Sequence, residues 1–490
     1  MQGTISTSEE KFETVRKRTG LVLAPVLFFS IWFSSSSLSP QAHALFAIVG
    51  GIVILWLTEA LPLYITGLLV PVLLIVCGVT SAGKAFAPFA DPIMFLFIGA
   101  FVLARAIQLH GLDKRFAYGV LTLKLVGGNP SRMLFAYGAV CCLLSMWISN
   151  TATTAMMFPI GVAIIHMLQR MEGEIRTKNY ATGMMLICAF GASIGGLATP
   201  VGTPTNLIGL GFIERQLGRH IPFFEWMMIA MPIVLVMYLL LYFYLNAVCS
   251  MKTSHIEGMR ELLQKERVQL GALSVAERNT LIAFGVTVVL WITPGILAVT
   301  IGDAHPWTIA YSKKVPESVA ALLGAVLLFF LPVDKKRKEY TMSINRAVEI
   351  DWGVLALYGG GITLGQMVFE TKLAESFGSQ LAGIIPADGI GLIAMSSAIA
   401  TLTSELTSNV SSANMIVPLV IVLAQHSGFQ AAVAATLASS LGFMLPISTP
   451  TNAIVYSSGF VSLRSMMRHG LVLDLIGFVV IVAGVTVLLG

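Results

Sequence analysis

The chain of 490 residues is 56% hydrophobic and 11% charged, with a positive mean hydropathy, whereas soluble proteins carry roughly a quarter charged residues. This composition excludes an ordinary soluble enzyme and makes a lipid bilayer the solvent for most of the surface. The net charge of +5 is no nucleic-acid signature, because Lys and Arg gather in three short polar segments.

In chain order, Met1–Gly20 is polar and mixed in charge. The apolar run Leu21–Phe33 lacks a small-residue cleavage site and reads as a retained first span. Leu45–Trp56 and Ile65–Val79 follow, on either side of Thr58-Glu59-Ala60-Leu61-Pro62; Trp226–Val248, Asn279–Val299, Ser318–Leu331 and Leu471–Leu489 come later. These runs approach or reach the ~20 residues that cross ~30 Å of hydrocarbon as a helix. With no long polar block, residues 1–490 read as one integral, all-α, polytopic membrane domain with on the order of ten or more spans.

The basic segments are Lys11, Arg16, Lys17 and Arg18, then Lys252–Arg278, then Lys335–Lys338 with Arg346. The positive-inside rule puts all three in the cytoplasm of a cell membrane. The N-terminus is then cytoplasmic and the His305–Tyr311 loop, between two spans, lies outside. Cys77, Cys141, Cys142, Cys188 and Cys249 sit within or at the end of apolar runs without metal-ligand spacing, and read as small hydrophobes of the core.

The chain also resembles itself. Ser145–Ile160 (SMWISNTATTAMMFPI) aligns with Ser404–Leu419 (SELTSNVSSANMIVPL), pairing Ser145 with Ser404, Ser149 with Ser408, Asn150 with Asn409 and Pro159 with Pro418. Thr203-Pro204-Thr205-Asn206 aligns with Thr449-Pro450-Thr451-Asn452, and upstream Asp91 and Gly99 align with Asp351 and Gly359. Three matched segments in one order indicate duplication, with residues 45–248 as the first repeat and 279–490 as the second. Each match sets a polar Ser/Asn/Thr cluster or a Gly/Pro turn inside apolar sequence. Pro removes a backbone donor, and Asn and Ser offer the backbone alternatives to helical bonds, so these segments should break their helices. A break at membrane depth is tolerated where protein, water or ligand meets the freed groups. A single Ser-Asn pair could simply glue neighbouring helices; its recurrence beside matched turns points to a binding site. Pro159 and Pro418, taken alone, are equally well explained as kinks.

At Ser149-Asn150-Thr151, Ser408-Asn409-Val410, the two Thr-Pro-Thr-Asn turns and Thr58–Pro62, the sequence resembles the divalent anion/sodium symporter family of dicarboxylate and citrate carriers, over nearly its whole length. The resemblance implies roughly eleven spans and two re-entrant hairpins in inverted repeats. It also implies a homodimer and an elevator motion, and an odd number of spans per repeat places the C-terminus outside. Carried over, it implies one Na+ site at Ser145, Ser149, Asn150 and the backbone near Gly202, and a second at Ser404, Thr407, Asn409 and Ser448. Substrate carboxylates would meet Ser149, Asn150, Thr151, Ser408 and Asn409, with Thr203, Pro204, Thr449 and Pro450 lining the pocket. Val410 is a departure from members with Thr there, and it removes one expected carboxylate hydrogen bond.

The residue types suit this chemistry. Sodium prefers oxygen ligands, which hydroxyls, Asn carbonyls and unwound backbone supply. A dianion would be held by amide and hydroxyl protons and helix N-termini, with sodium ions supplying positive charge, because the motif segments contain no Lys, Arg or His. Dianion loaded without cations would leave buried charge uncompensated, so sodium becomes a condition for binding. Hydroxyls and amides of this kind could hold succinate, malate, fumarate, 2-oxoglutarate, citrate or sulfate; an arginine-free site favours the four-carbon dicarboxylates over trivalent anions.

Glu59, Arg105 and Glu405 are charges at membrane depth. Glu405 faces neutral Met146 in the alignment and reads as a packing or pairing residue; Arg105 is placed on a hairpin as a snorkelling residue. Asp91 and Asp351 read as helix caps ahead of the hairpins, and His110, His166, His220 and His426 as interface histidines. The nearest rival function keeps the fold but exchanges anions without sodium, which would require a cationic side chain in place of a sodium site. An intramembrane enzyme lacks its motifs here (no HExxH or GxSxG), and duplicated broken helices describe alternating access better than a passive channel.

Overall fold

A computed structural model describes residues 7–251, 258–373, 376, 388–424 and 427–490; Lys252 and His426 lie outside the described residues. The first nine principal helices are α1 (Thr7–Trp32), α2 (Pro40–Thr58), α3 (Leu63–Val76), α4 (Pro92–Leu109), α5 (Pro130–Ser145), α6 (Asn150–Glu172), α7 (Glu174–Gly196), α8 (Pro204–Leu217) and α9 (Phe223–Cys249). The later eight are α10 (Val275–Ile301), α11 (Glu317–Phe330), α12 (Trp352–Glu370), α13 (Gly389–Leu406), α14 (Asn409–Leu423), α15 (Gly428–Ala438), α16 (Pro450–Tyr456) and α17 (Leu463–Leu489). Short helices and a two-stranded ribbon, β1 (Pro332–Asp334) with β2 (Glu339–Tyr340), make connections. Among the described residues eight helices are long and apolar enough to cross a membrane, and the protein is a multi-pass, all-α membrane protein. The expected first span is continuous with the polar segment before it in α1, so it is not one of those eight. The expected outer loop at His305–Tyr311 is largely helical, within Pro306–Lys314.

Local chemistry explains the boundaries. Ser39, Asp91, Ser149, Ser408 and Ser462 each cap a helix by accepting a backbone N–H. Ser274 and Glu277 form a reciprocal capping box at the start of α10. Between α2 and α3 the backbone turns at Glu59, which adopts left-handed φ of 47°, and its carboxylate is held by Arg16 of α1 at 3.0 Å. The Thr58–Pro62 run is therefore a hinge-like corner between two helices.

α5 and α6 lie side by side as a helical hairpin, tied where the Tyr137 hydroxyl donates to the Met157 carbonyl at 2.9 Å. α13 and α14 form a second hairpin, tied where Ser412 Oγ donates to the Ala400 carbonyl at 2.8 Å. The hairpins thus surround the Ser-Asn motifs, and Arg105 does not belong to either: it lies on α4 and pairs with Glu349. Asp91 and Asp351 cap the longer helices α4 and α12.

Two helix pairs, α3 with α12 and α4 with α11, cross at short range. A Cβ on Gly360 would stand 2.1 Å from the Gly67 carbonyl oxygen, so glycine here sets the distance between backbones. The main core runs through both hairpins, α7–α9 and α15–α17. A second core joins α1–α3 to α12, and a third joins α4, α10 and α11. Val410 and Met415 on α14 touch the first two cores at once.

Candidate functional site

The first centre forms where α5 stops and α6 begins. Ser149 caps α6, accepting the Ala152 N–H at 3.3 Å, and Ser145 Oγ donates to Asn150 Oδ1 at 2.7 Å. Opposite, Pro200 and Pro204 keep the chain from continuing as helix between α7 and α8. The Asn206 amide spans that break, donating to the carbonyls of Gly196 (3.0 Å), Leu197 (3.2 Å) and Thr199 (2.8 Å). Thr199 Oγ1 donates to the Met146 carbonyl at 2.5 Å, tying the break to the hairpin tip. A Cβ on Gly202 would lie 2.5 Å from the Gly196 carbonyl oxygen and 3.0 Å from that of Ser145, so only glycine leaves room where these carbonyls converge.

The second centre repeats this construction. Ser408 caps α14 by accepting the Ser411 N–H at 3.2 Å. Ser404 Oγ lies 2.8 Å from Asn409 Oδ1 and 2.7 Å from the Ser439 carbonyl, so its one proton serves both. The Asn452 amide donates across the break between α15 and α16 to the carbonyls of Gly442 (2.9 Å) and Leu445 (3.0 Å). Thr407 Oγ1 donates to the Thr403 carbonyl at 2.8 Å. Ser448 donates its hydroxyl to Glu405 Oε2 at 2.8 Å, and the Met444 N–H donates to Glu405 Oε1 at 2.8 Å. Glu405 is accordingly a pairing residue.

In both centres the remaining amide oxygen, Asn206 Oδ1 and Asn452 Oδ1, is buried and meets no hydrogen-bond donor among the described residues. A buried oxygen without a donor is costly unless something positive meets it. These oxygens, with the Ser and Asn oxygens and convergent carbonyls beside them, are the donor chemistry a hard monovalent cation requires. Sequence reasoning marked the Thr-Pro-Thr-Asn turns but not the Asn amides as the groups that hold the breaks open. The clue was their recurrence ten residues after Gly196 and Gly442.

The centres are neighbours. Thr205 Oγ1, of the first turn, lies 2.6 Å from Ser440 Oγ, beside the second break. Reciprocally, Ser193 Oγ lies 3.4 Å from Thr451 Oγ1 of the second turn. α8 packs on α14 and α15, while α16 packs on α6 and α7. Each turn thus rests against the other half's motif.

A cavity of about 900 Å³ is lined by Ser408, Ser448, Thr449 and Pro450 and runs to Glu13, Lys17 and Glu59. Ser149, Asn150, Thr151, Thr203 and Pro204 do not line it. Ser149 and Thr151 are exposed, Asn150 and Pro204 half-buried, and Thr203 buried. Val410 is half-buried among apolar side chains.

Other ionisable groups act in packing. Asp91 accepts from Ile93 N–H, from the Tyr358 hydroxyl at 3.3 Å and from Arg215, joining α4, α12 and α8. His110 Nε2 meets the Thr341 carbonyl at 2.8 Å, and His166 stands edge-on to Phe460. His220, in the link between α8 and α9, faces Glu214 at 3.3 Å and Glu317 at 3.6 Å. Those two carboxylates, Glu214 foremost, push its pKa up to about 10.

Two solved structures share the polytopic helical fold. The YdaH transporter of Alcanivorax borkumensis superposes with a TM-score of 0.53 at 14% identity, over 98% of this chain and 96% of that one. MtrF of Neisseria gonorrhoeae, described with a class of antimetabolite efflux pumps, gives 0.55 at 13%, over 94% and 97%. The sequence profile of the sodium:sulfate symporter transmembrane region matches residues 15–488, and the chain belongs to this family of membrane transporters rather than to any class of enzyme. The sodium-dependent dicarboxylate transporter SdcS of Staphylococcus saprophyticus subsp. saprophyticus is 32% identical over 487 residues, 97% of this chain and 92% of the relative. The SdcS protein of Staphylococcus aureus is 30% identical over 474 residues, 94% and 89% respectively.

Proposed function

We propose that this protein imports C4-dicarboxylates such as succinate, malate and fumarate by sodium symport. The observation that carries the reading is the pair of oxygen-lined Ser-Asn centres, each with a buried amide oxygen that has no partner among the described residues and neither with a cationic side chain hydrogen-bonded to it there. The names of the SdcS relatives support it. In this reading sodium binds at Ser145, Ser149, Asn150 and Gly202, and at Ser404, Thr407, Asn409 and Ser448. The dianion sits between Ser149-Asn150-Thr151 and Ser408-Asn409, near Thr203, Pro204, Val410, Thr449 and Pro450. The N-termini of α6 and α14 supply further N–H donors, and the sodium ions supply the charge that compensates the carboxylates.

The working unit is a homodimer in the cell membrane, with the N-terminus cytoplasmic and the C-terminus outside. Residues 45–248 and 279–490 are its inverted repeats, among about eleven spans with two re-entrant hairpins. Transport follows an elevator motion, and the cavity running from Ser408 and Thr449 to Glu13 and Lys17 is the inward-facing entrance. Anion exchange without sodium is the competing mechanism.

Uptake of radiolabelled succinate into proteoliposomes, without internal substrate, tests the reading. Accumulation driven by an inward sodium gradient, absent when potassium replaces sodium, is the expected result. Uptake that appears only after internal dicarboxylate is loaded would replace symport with exchange and remove the sodium roles.

A further inference from the structure

Beyond the end of α11 the chain forms the β1–β2 ribbon, whose turn is a run of bases, Lys335, Lys336, Arg337 and Lys338. Its base is clamped. Asn279 of α10, itself buried, donates its amide to the Pro332 carbonyl and to Thr341 Oγ1, both at 3.0 Å. His110, just past the end of α4, meets the Thr341 carbonyl at 2.8 Å, and the Met342 N–H donates to the Leu328 carbonyl of α11 at 3.2 Å. The ribbon is thereby fixed to the three helices of the third core. Its strand of three residues rises about 10 Å, which keeps the turn within roughly one Debye length of the helix ends.

The charge of the turn is presented, not neutralised. All four side chains are exposed. Asp334 is engaged with the turn itself, accepting the Lys336 N–H at 2.8 Å and the Arg337 N–H at 3.3 Å, and it pairs with the Arg337 guanidinium at 3.8 Å. Among the described residues Lys335, Lys336 and Lys338 have no acidic partner. Lys338 adopts a left-handed φ of 54°, a conformation that Gly or Asn takes more easily, so a lysine there keeps its charge at a conformational cost.

The flanking side chains are those of a membrane edge. Phe330, Tyr340, Ile344 and Val348 are exposed apolar groups on either side of the turn in the chain. Arg346 and Arg105 of α4 share one carboxylate, Glu349, which leaves this end of the third core with further positive charge. A soluble anion would use the bases but not the apolar groups beside them. A phospholipid uses both, phosphate on the bases and acyl chains on the apolar groups.

We propose that the Lys335–Lys338 turn is a docking site for the headgroup of anionic phospholipid in the leaflet it faces, tying the core of α4, α10 and α11 to that leaflet. The site stands apart from the Ser-Asn centres and does not depend on the sodium-symport reading.

The test is competitive lipid retention. Purified protein is mixed in detergent at low salt with equal amounts of phosphatidylglycerol and phosphatidylcholine and captured again, and its bound lipid is counted by mass spectrometry. A positive charge near headgroups is worth roughly five-fold in affinity, so wild type should retain phosphatidylglycerol over phosphatidylcholine by about five-fold or more. Lys336→Gln/Lys338→Gln should lower that ratio several-fold. Lys313→Gln/Lys314→Gln, which removes the same charge from the last turn of the Pro306–Lys314 helix, should leave it unchanged. Equal retention of the two lipids by wild type, an unchanged ratio in Lys336→Gln/Lys338→Gln, or equal losses in both double variants would overturn the site. Release of phosphatidylglycerol by inorganic phosphate, beyond that caused by chloride at the same ionic strength, would also overturn it and reassign the turn to a soluble anion. Should Lys336→Gln/Lys338→Gln fail to insert, Lys336→Gln and Lys338→Gln are read singly: a few-fold drop in either supports the site, and no drop in either overturns it.

Discussion

The two Ser-Asn centres share the bond that defines them, Ser145 to Asn150 and Ser404 to Asn409, and part where the chain passes the next helix break. In the first, the hairpin tip is tied to the break by Thr199 on the Met146 carbonyl, through neutral groups alone. In the second, the tie is a carboxylate, Glu405, receiving Ser448 and Met444. The second centre is held by an acidic side chain where the first has only neutral groups. The first relies on close backbone approach at Gly202. The two centres share one construction and secure it by different physics.

The largest effect is expected where the copies agree. Asn150→Ala and Asn409→Ala should each reduce succinate uptake to background while leaving the amount of inserted protein unchanged. Normal uptake by both would remove the assigned sites. The copies should then separate at their glycines. A Cβ at Gly202 meets carbonyl oxygen at 2.5 Å, while one at Gly442 meets Asn409 Oδ1 at 3.2 Å and Ser404 Oγ at 3.3 Å. Gly202→Ala should therefore cost on the order of 100-fold or more in apparent sodium affinity or abolish uptake, the scale of ~3 kcal/mol or more. Gly442→Ala should cost a few-fold at most, and equal losses would deny the difference in construction.

Legibility in the sequence followed the same division. The duplicated motifs were visible because Ser, Asn, Thr and Pro are conspicuous in apolar sequence, and the Asp91 and Asp351 caps were visible because capping is local. The hairpins were misplaced around Arg105, since hydropathy alone does not distinguish a helix that returns, such as α5, from one that continues, such as α4.

A smaller effect concerns the link beside the first break. The carboxylates of Glu214 and Glu317 push the His220 pKa up from its ordinary 6.5 to about 10. Its contribution to stability is full below pH 6.5 and disappears as pH rises through about 10. In detergent, the thermal stability advantage of wild type over His220→Gln should be greatest at pH 6, shrink steadily above pH 6.5 and vanish beyond pH 10. An advantage independent of pH would mean that the ring acts by packing. The mildest change is Val410→Thr. The side chain is half-buried where two apolar cores meet, and a hydroxyl there should alter the ratio of succinate to citrate uptake by a few-fold. An unchanged ratio would turn this position away from the anion.

The crossed hydroxyl contacts also bear on how the protein is made. Thr205 waits for Ser440, 235 residues later, and Ser193 waits for Thr451, 258 residues later. At about 5–20 residues per second of synthesis, the first half spends roughly 10–50 s in the membrane before these partners exist. During that interval it is an incomplete product, dependent on water, lipid headgroups or insertion factors to shelter what its twin will eventually cover.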